Sequence, residues 1–170
     1  MDPILDKARA GQNALERIMN AIPGFKGYRE KDLRREADQL QREYLASRLE
    51  AQKGALNDVA VAATRAGQLD VINDVETAKK RLDKVIARLR FADRGYGGFF
   101  DAVKVDEAML GRIYEFDLGL VQGVESILTV IKAAAAAASG AGTALQNVVA
   151  EIDAMDRRLN DRDAILSGVR

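Results

Sequence analysis

Three residue types that carry much of protein chemistry are missing from the 170-residue chain: cysteine, histidine and tryptophan. Their absence excludes thiolate and imidazole catalysis, the usual zinc sites, and haem held by histidine or cysteine. We therefore expect no metal and no cofactor, and the remaining side chains favour a protein that is not an enzyme. Catalysis or small-molecule binding by carboxylates, arginines and tyrosines alone stays open as a further alternative.

An excess of one charge is also missing, because 26 basic and 26 acidic residues cancel. A neutral molecule has no general attraction to polyanions, which argues against nucleic acid as a partner. The distribution is uneven, with 19 basic and 15 acidic residues in 1–100, and 7 basic and 11 acidic residues in 101–170. We expect these two segments to attract each other, within one chain or between copies.

Uninterrupted apolar runs of membrane-spanning length are absent from the sequence. The most apolar window, 118–138, still contains Gln122, Glu125 and Lys132, which are costly at membrane depth. Met1 is followed directly by Asp2 and Pro3, without the apolar segment of a signal peptide. These features predict a cytoplasmic protein without a transmembrane helix.

Proline is rare, and apolar residues recur at intervals of three and four along most of the chain, which is typical of helices with one buried face. Asp2 and Asp106 are predicted to cap helices, while Gly24 and Gly67 mark helix ends. The predicted helices span residues 3–22, 29–66, 70–90, 106–139 and 143–168. We expect a single all-α domain, an elongated antiparallel bundle of about five helices with a long coiled-coil-like hairpin folded at Gly67.

The second predicted helix has an apolar stripe that slips by about one residue. The stripe runs from Leu33 through Leu40 to Tyr44 and then resumes at Leu45 and Leu49. Such a slip changes the face that meets the core, so it predicts a bend or a change of partner near residues 44–49.

Four of the nine aromatic residues fall in the glycine-rich segment 91–101. Chain lengths predict that this segment reaches the loop that contains Phe25 and Tyr28. It either seals one end of the bundle, which we favour, or forms a docking surface for a partner, with Arg94 placed to hold an anion. The candidate residues are Phe25, Tyr28, Phe91, Arg94, Tyr96, Phe99 and Phe100.

The third predicted helix has a row of basic residues at intervals of four: Lys80, Lys84 and Arg88. Like charges at this spacing repel each other by roughly a few tenths of a kcal/mol, so a compensating interaction is expected. Solvation or acidic neighbours within the protein are favoured. Anionic lipid, a protein partner and sequence-independent phosphate contacts are the alternatives.

The fourth predicted helix has a carboxylate, Asp117, in its apolar seam between Ile113 and Leu120. A buried carboxylate needs a partner or takes up a proton. We favour an internal salt bridge or a polar contact that fixes the helix register, for example with an arginine of the second helix, over a role in acid-base catalysis. In the same helix, Gly119 and Gly123 predict a tight helix crossing.

The first three predicted helices, a short amphipathic helix before a long antiparallel hairpin, resemble in layout the bacterial phage-shock-type membrane-remodelling proteins. The resemblance implies peripheral binding to anionic membranes through the first helix and the basic row. The leading hypothesis is different. Because apolar residues occupy nearly every side of the helix over 118–131, we expect a non-enzymatic scaffold or assembly protein that binds a protein partner or further copies of itself.

Overall fold

The structure, a computed structural model, describes residues 2–92, 97–102, 105–137 and 139–168. Throughout these ranges the regular elements are helices and no strand occurs, so the all-α prediction is confirmed. The elements, in chain order, are α1 (Pro3–Ala21), a 3-10 helix (Lys31–Leu33), α2 (Arg34–Glu50), α3 (Lys53–Arg65), α4 (Leu69–Arg90), the single turn α5 (Gly97–Phe100), α6 (Glu107–Ala136) and α7 (Ala141–Gly168).

Several helix ends follow directly from local sequence. The carboxylate of Asp2 accepts a hydrogen bond from the amide of Ile4 at 3.0 Å. The carboxylate of Asp106 accepts one from the amide of Met109 at 2.7 Å. Gly67, which follows α3, has φ 68°, a left-handed conformation that glycine adopts without steric strain. Both caps and this turn agree with the sequence analysis.

The predicted helix over 29–66 is not continuous, which corrects the sequence analysis. It consists of the 3-10 helix, α2 and α3, and the interruption between α2 and α3 falls at Ala51 and Gln52. There the amide of Gln52 donates to the carbonyl of Leu49 at 3.0 Å, a bond three residues back that tightens the turn. The break therefore lies just beyond the predicted region 44–49.

The predicted change of partner near residues 44–49 agrees with the division of the chain into two compact units, which falls between Tyr44 and Leu45. The predicted apolar stripe, however, is not the buried face of α2. The buried positions of α2 keep helical spacing throughout, while Leu33 and Leu40 of the predicted stripe are exposed. The face that is buried instead contains polar residues in its first half. The buried positions at this spacing are Arg34, Ala37, Asp38, Gln41, Leu45 and Leu49.

The chain divides into two compact units, and the single domain expected from sequence stays a prediction. Unit 1 comprises Met1–Tyr44, Ala92–Gln122 and Arg158–Arg170, and unit 2 comprises Leu45–Phe91 and Gly123–Arg157. Unit 1 contains α1 and the aromatic and polar residues considered below. Unit 2 contains α3 and α4, which are in contact on either side of the Gly67 turn.

Within unit 1, α1 crosses α6 at a pair of glycines. A Cβ atom on Gly11 would lie 2.5 Å from the Cα atom of Gly111, closer than any real contact. The two backbones approach so closely that only glycine fits at position 11. The predicted crossing at Gly119 is not found, because a Cβ atom there would meet nothing within 4 Å.

One helix of the described chain, α6, is long and apolar enough to cross a bilayer by length and composition, contrary to the expectation from sequence. The core helix of a globular protein passes the same test, and much of α6 is buried, including Leu120, Ile127 and Ile131. Its charged residue Glu125 forms an ion pair with Arg48. The absence of a membrane span stays a prediction.

The glycine crossing gives a matched pair of substitutions. Gly11→Ala should lower the free energy of unfolding by about 1 to 3 kcal/mol, because the new methyl group forces the helices apart. Gly111→Ala should be neutral or stabilising by up to about 1 kcal/mol, since its Cβ would sit at an ordinary 3.6 Å and alanine favours the helix. Chemical denaturation followed by circular dichroism measures both, and equal effects would contradict the asymmetry of the crossing.

Candidate functional site

A network of polar side chains is buried in unit 1. Arg162 of α7 lies between two carboxylates: its Nε donates to Asp117 at 2.8 Å and its Nη2 donates to Asp38 at 2.5 Å. All three side chains are almost completely buried. Arg42, one turn after Asp38 in α2, donates to the second oxygen of Asp38 at 2.8 Å. Two arginines therefore balance two carboxylates, which is the condition under which buried charges are tolerated.

Tyr28 joins this network through its hydroxyl group. The hydroxyl donates to Asp117 at 2.5 Å and lies 2.6 Å from the side-chain amide of Gln41. Because a hydroxyl has one proton and a carboxylate is the stronger acceptor, the proton belongs to the bond with Asp117. The amide orientation that fits turns the NH2 group of Gln41 toward the oxygen of Tyr28, which also gives that buried NH2 group a partner.

The surroundings shift the pKa values of these groups in definite directions. Burial, and then the negative charge of Asp117, hold the pKa of Tyr28 well above its ordinary value. Burial alone would lower the pKa of Arg162, but Asp117 and Asp38 outweigh it and hold the pKa well above the usual value. Burial raises the pKa of Tyr114 as well. The network therefore combines neutral phenols with a guanidinium that stays charged.

A second buried arginine, Arg34, connects two loops in unit 1. It donates to the carbonyl of Tyr28 at 2.7 Å and to the carbonyl of Ala102 at 2.8 Å, and a longer bond of 3.4 Å reaches the carbonyl of Phe99. Its guanidinium also lies over the ring of Phe99, 5.5 Å from the centroid. The start of α2 thereby fixes the turn at 99–102 against the loop before the 3-10 helix.

The aromatic residues that these loops contribute form one cluster. The ring of Tyr28 stacks on Tyr114 at 5.7 Å and meets the edges of Phe25 and Phe99, each at 5.4 Å. Phe100 adjoins Phe99 at 5.3 Å. The predicted meeting of the two aromatic segments is therefore confirmed.

The cluster does not form the docking surface considered as an alternative. Phe25, Tyr28, Phe99 and Phe100 are all buried, in agreement with a role in sealing the core. Phe91 is not part of the cluster, since it caps the end of α4 and is 81% exposed. The two remaining candidates, Arg94 and Tyr96, lie outside the described residues.

A groove with a volume of about 420 Å³ lies beside the buried network in unit 1. Its lining residues are Leu15, Gly24, Lys26, Gly27, Arg29, Glu30, Leu33, Glu36, Ala37, Leu40 and Tyr114. Leu33 and Leu40 are 44% and 38% exposed, so the groove presents large apolar side chains to solvent. The hydroxyl of Tyr114 accepts a hydrogen bond from the amide of Tyr28 at 2.9 Å, which joins the groove wall to the network.

The rim of the groove is charged. Arg29 is bonded to Glu107, and the bond between its Nη2 and Oε2 measures 3.1 Å. Glu30 and Glu36 are exposed and have no basic partner in the described part of the chain. Lys26 is exposed on the loop that also contains Arg29 and Glu30. An apolar floor below two available carboxylates suits an apolar segment flanked by basic residues.

The basic row of α4 is largely paired inside unit 2. Lys84 and Arg88 both bind the carboxylate of Asp156, at 2.9 and 2.7 Å, and Arg81 binds Asp153. Burial alone would raise the pKa of Asp156, but the bonds from Lys84 and Arg88 lower it below its ordinary value. Lys80 remains exposed. These pairs agree with the favoured interpretation and leave less basic surface for lipid or nucleic acid.

The buried charges are paired with one another. Asp117 is buried and paired as expected, although its arginine, Arg162, comes from α7 and not from the second predicted helix. Neither the groove nor the smaller cavity in unit 2 is lined by Asp117. In the described residues no group of three or more carboxylates could hold a metal ion.

Comparison of the chain with protein-family models, with curated proteins and with solved structures gives no match.

Most residues of the buried polar network were not predicted from the sequence. Arg34, Asp38 and Gln41 are not among the predicted site residues, because the buried stripe was sought among apolar residues. Their spacing with Leu45 and Leu49 was the available signal. Arg162 stands three residues after Leu159 and four before Leu166, so its position on the buried face of α7 could also have been recognised.

Removal of Arg162 should be strongly destabilising. Arg162→Met keeps much of the volume but leaves Asp38 and Asp117 with an uncompensated buried charge, and we expect a loss of about 3 to 5 kcal/mol. Arg157→Met is the matched control, because Arg157 is an exposed arginine of the same helix, and it should change stability by less than about 0.5 kcal/mol. Urea denaturation measures the free energy of unfolding of both variants. A loss under about 1 kcal/mol for Arg162→Met would contradict the network.

Stability should fall at alkaline pH through Tyr28. In the folded protein the pKa of Tyr28 lies above its ordinary value of 10.0, so the unfolded chain loses this proton at a lower pH than the folded one. The contribution of the Tyr28 hydroxyl to the free energy of unfolding is therefore complete below pH 10 and is lost as the pH rises further. Tyr28→Phe should be less stable at neutral pH, yet its stability should decline less steeply above pH 10, by about 1.4 kcal/mol per pH unit at most. If the free energy of unfolding declined equally steeply with pH in the wild type and in Tyr28→Phe, this linkage would be ruled out.

Proposed function

We propose that the protein is a non-enzymatic helical scaffold or assembly protein that acts through protein-protein contacts. The observation that carries the proposal is the groove of unit 1, where the exposed side chains of Leu33 and Leu40 lie among charged residues. Exposed apolar side chains gathered in a concave surface are typical of protein-binding sites. The buried charges are bonded to one another, which is the arrangement of structural and not catalytic groups.

The exposed apolar surface that supports the proposal is not the one that the sequence predicts. Apolar residues around α6 motivated the hypothesis, but most of them are buried within the chain, including Leu120, Val124 and Leu128. These buried side chains are not available to a partner. The proposal therefore rests on the groove instead.

We further propose that α2, α3 and α4 form the long antiparallel, coiled-coil-like hairpin of an elongated bundle. The contact between α3 and α4, the left-handed Gly67 between them, and the buried seam residues Val75 and Leu82 support this arrangement. A cytoplasmic location belongs to the same proposal.

Peripheral binding to anionic membranes is the second candidate function. The first two turns of α1 favour it, since they expose Ile4 and Leu5 next to Lys7 and Arg9. The pairing of Lys84 and Arg88 with Asp156 weakens it, because these residues were expected to bind lipid head groups. Flotation with anionic vesicles discriminates between the two functions.

The scaffold function predicts that the groove is needed for binding. In the double variant Leu33→Glu and Leu40→Glu, new carboxylates in the groove should abolish association, measured as self-association by light scattering and as capture of partners in a pull-down. Leu69→Glu is the control, because Leu69 is 72% exposed in α4 of unit 2 and lies outside the groove. A wild-type protein that stays monomeric at high concentration and captures no partner would contradict the proposal.

A further inference from the structure

The stripe of residues on the buried face of α1 extends beyond the part of the helix that packs against the rest of the chain. The residues Ile4, Ala8, Gly11, Leu15 and Ile18 follow one another at intervals of four, three, four and three, so they lie on one face of the helix. Gly11 and Ile18 are buried, and Leu15 is half-buried. Ile4 is 78% exposed and Ala8 is exposed too. The stripe that faces the core therefore continues toward the start of the helix for two turns in which its side chains are exposed to solvent.

These two turns form an apolar ridge, Ile4, Leu5 and Ala8. Leu5 is adjacent to the stripe and more than half exposed. Single exposed apolar residues are ordinary on protein surfaces, but neighbouring ones that prolong a buried stripe indicate a contact. Helical geometry places Lys7 on one side of the ridge and Arg9 on the other.

The charges of the ridge and the groove are complementary. The ridge is flanked by two basic residues, Lys7 and Arg9, which have no acidic partner in the described part of the chain. The groove offers two carboxylates, Glu30 and Glu36, beside an apolar floor, against one exposed cation, Lys26, that has no ion pair among the described residues. A volume of about 420 Å³ is sufficient for several aliphatic side chains.

The ridge cannot occupy the groove of its own chain. Leu15 lines the groove and belongs to the same helix as Ile4. Eleven residues of continuous helix separate them by roughly 16 Å, and this spacing is rigid. Any ridge that enters the groove must therefore come from another molecule.

We propose that the ridge of one molecule binds in the groove of a second copy, with Lys7 and Arg9 against Glu30 and Glu36. This inference rests on the proposed scaffold function and names the partner as the chain itself. Because the ridge and the groove are different surfaces, the contact is heterologous, and a bound pair still leaves one ridge and one groove available. Assembly is then head-to-tail and ends only if a ring closes.

The test is complementation between two variants that each lack one surface. The ridge variant carries Ile4→Ser and Leu5→Ser, and the groove variant carries Leu33→Ser and Leu40→Ser. Leu69→Ser is the matched control, an exposed leucine of unit 2 outside both surfaces. Sedimentation velocity over a range of concentrations measures the size of the assemblies, and circular dichroism checks that each variant is folded.

The wild type and Leu69→Ser should grow into larger species as concentration rises, whereas each double variant alone should stay monomeric. An equimolar mixture of the two double variants should form a one-to-one dimer and nothing larger, because one intact ridge meets one intact groove. Failure of the mixture to associate, or a wild type that stays monomeric at millimolar concentration, would overturn the inference.

Two further outcomes separate this inference from the functions proposed above. A monomeric wild type that captures another protein through the groove would overturn self-assembly but leave the scaffold function standing. A monomeric wild type that floats with anionic vesicles, when the ridge variant does not and the groove variant does, would overturn self-assembly in favour of membrane binding.

Discussion

The placement of one charged side chain, Arg162, determines how unit 1 is held together. Its guanidinium binds Asp117 of α6 and Asp38 of α2, so three helices meet at a single buried cation. Such a network costs free energy to assemble, because each charged group must leave water. This desolvation cost is offset only where every group has a partner. The value of the arrangement lies in specificity: a different helix register would leave a charge unpaired.

The network also shapes the surface beside it. Tyr28 donates its hydroxyl proton to Asp117, and its backbone amide binds the hydroxyl of Tyr114, which lines the groove. Gly27, next to Tyr28, has φ 88° and would bring a Cβ atom within 2.7 Å of that hydroxyl. The loop and the groove wall are therefore fixed by the same bonds that neutralise the buried charge. The groove is accordingly a preformed surface, which reduces the entropy lost on binding.

Much of the fold could be predicted from sequence because its signals are local. Asp2 and Asp106 cap helices by bonds to nearby amides, and Gly67 adopts a conformation that other residues avoid. Asp117 was recognisable because it stands between Ile113 and Leu120 in an apolar seam. Arg162 was not assigned as its partner because the pairing joins residues 45 positions apart. In the second predicted helix, the apolar stripe that contains Leu33 and Leu40 is exposed and not buried, and this error concealed both the polar network and the groove.

A double-mutant cycle on Asp117 and Arg162 tests the network most directly. Asp117→Asn, Arg162→Met and the double variant would each be unfolded in urea, and the coupling energy between the two sites would be calculated from the free energies of unfolding. If the pair holds unit 1 together as described, the double variant should be more stable than the sum of the single effects by about 1 to 3 kcal/mol. Additive effects, within about 0.5 kcal/mol, would contradict the account.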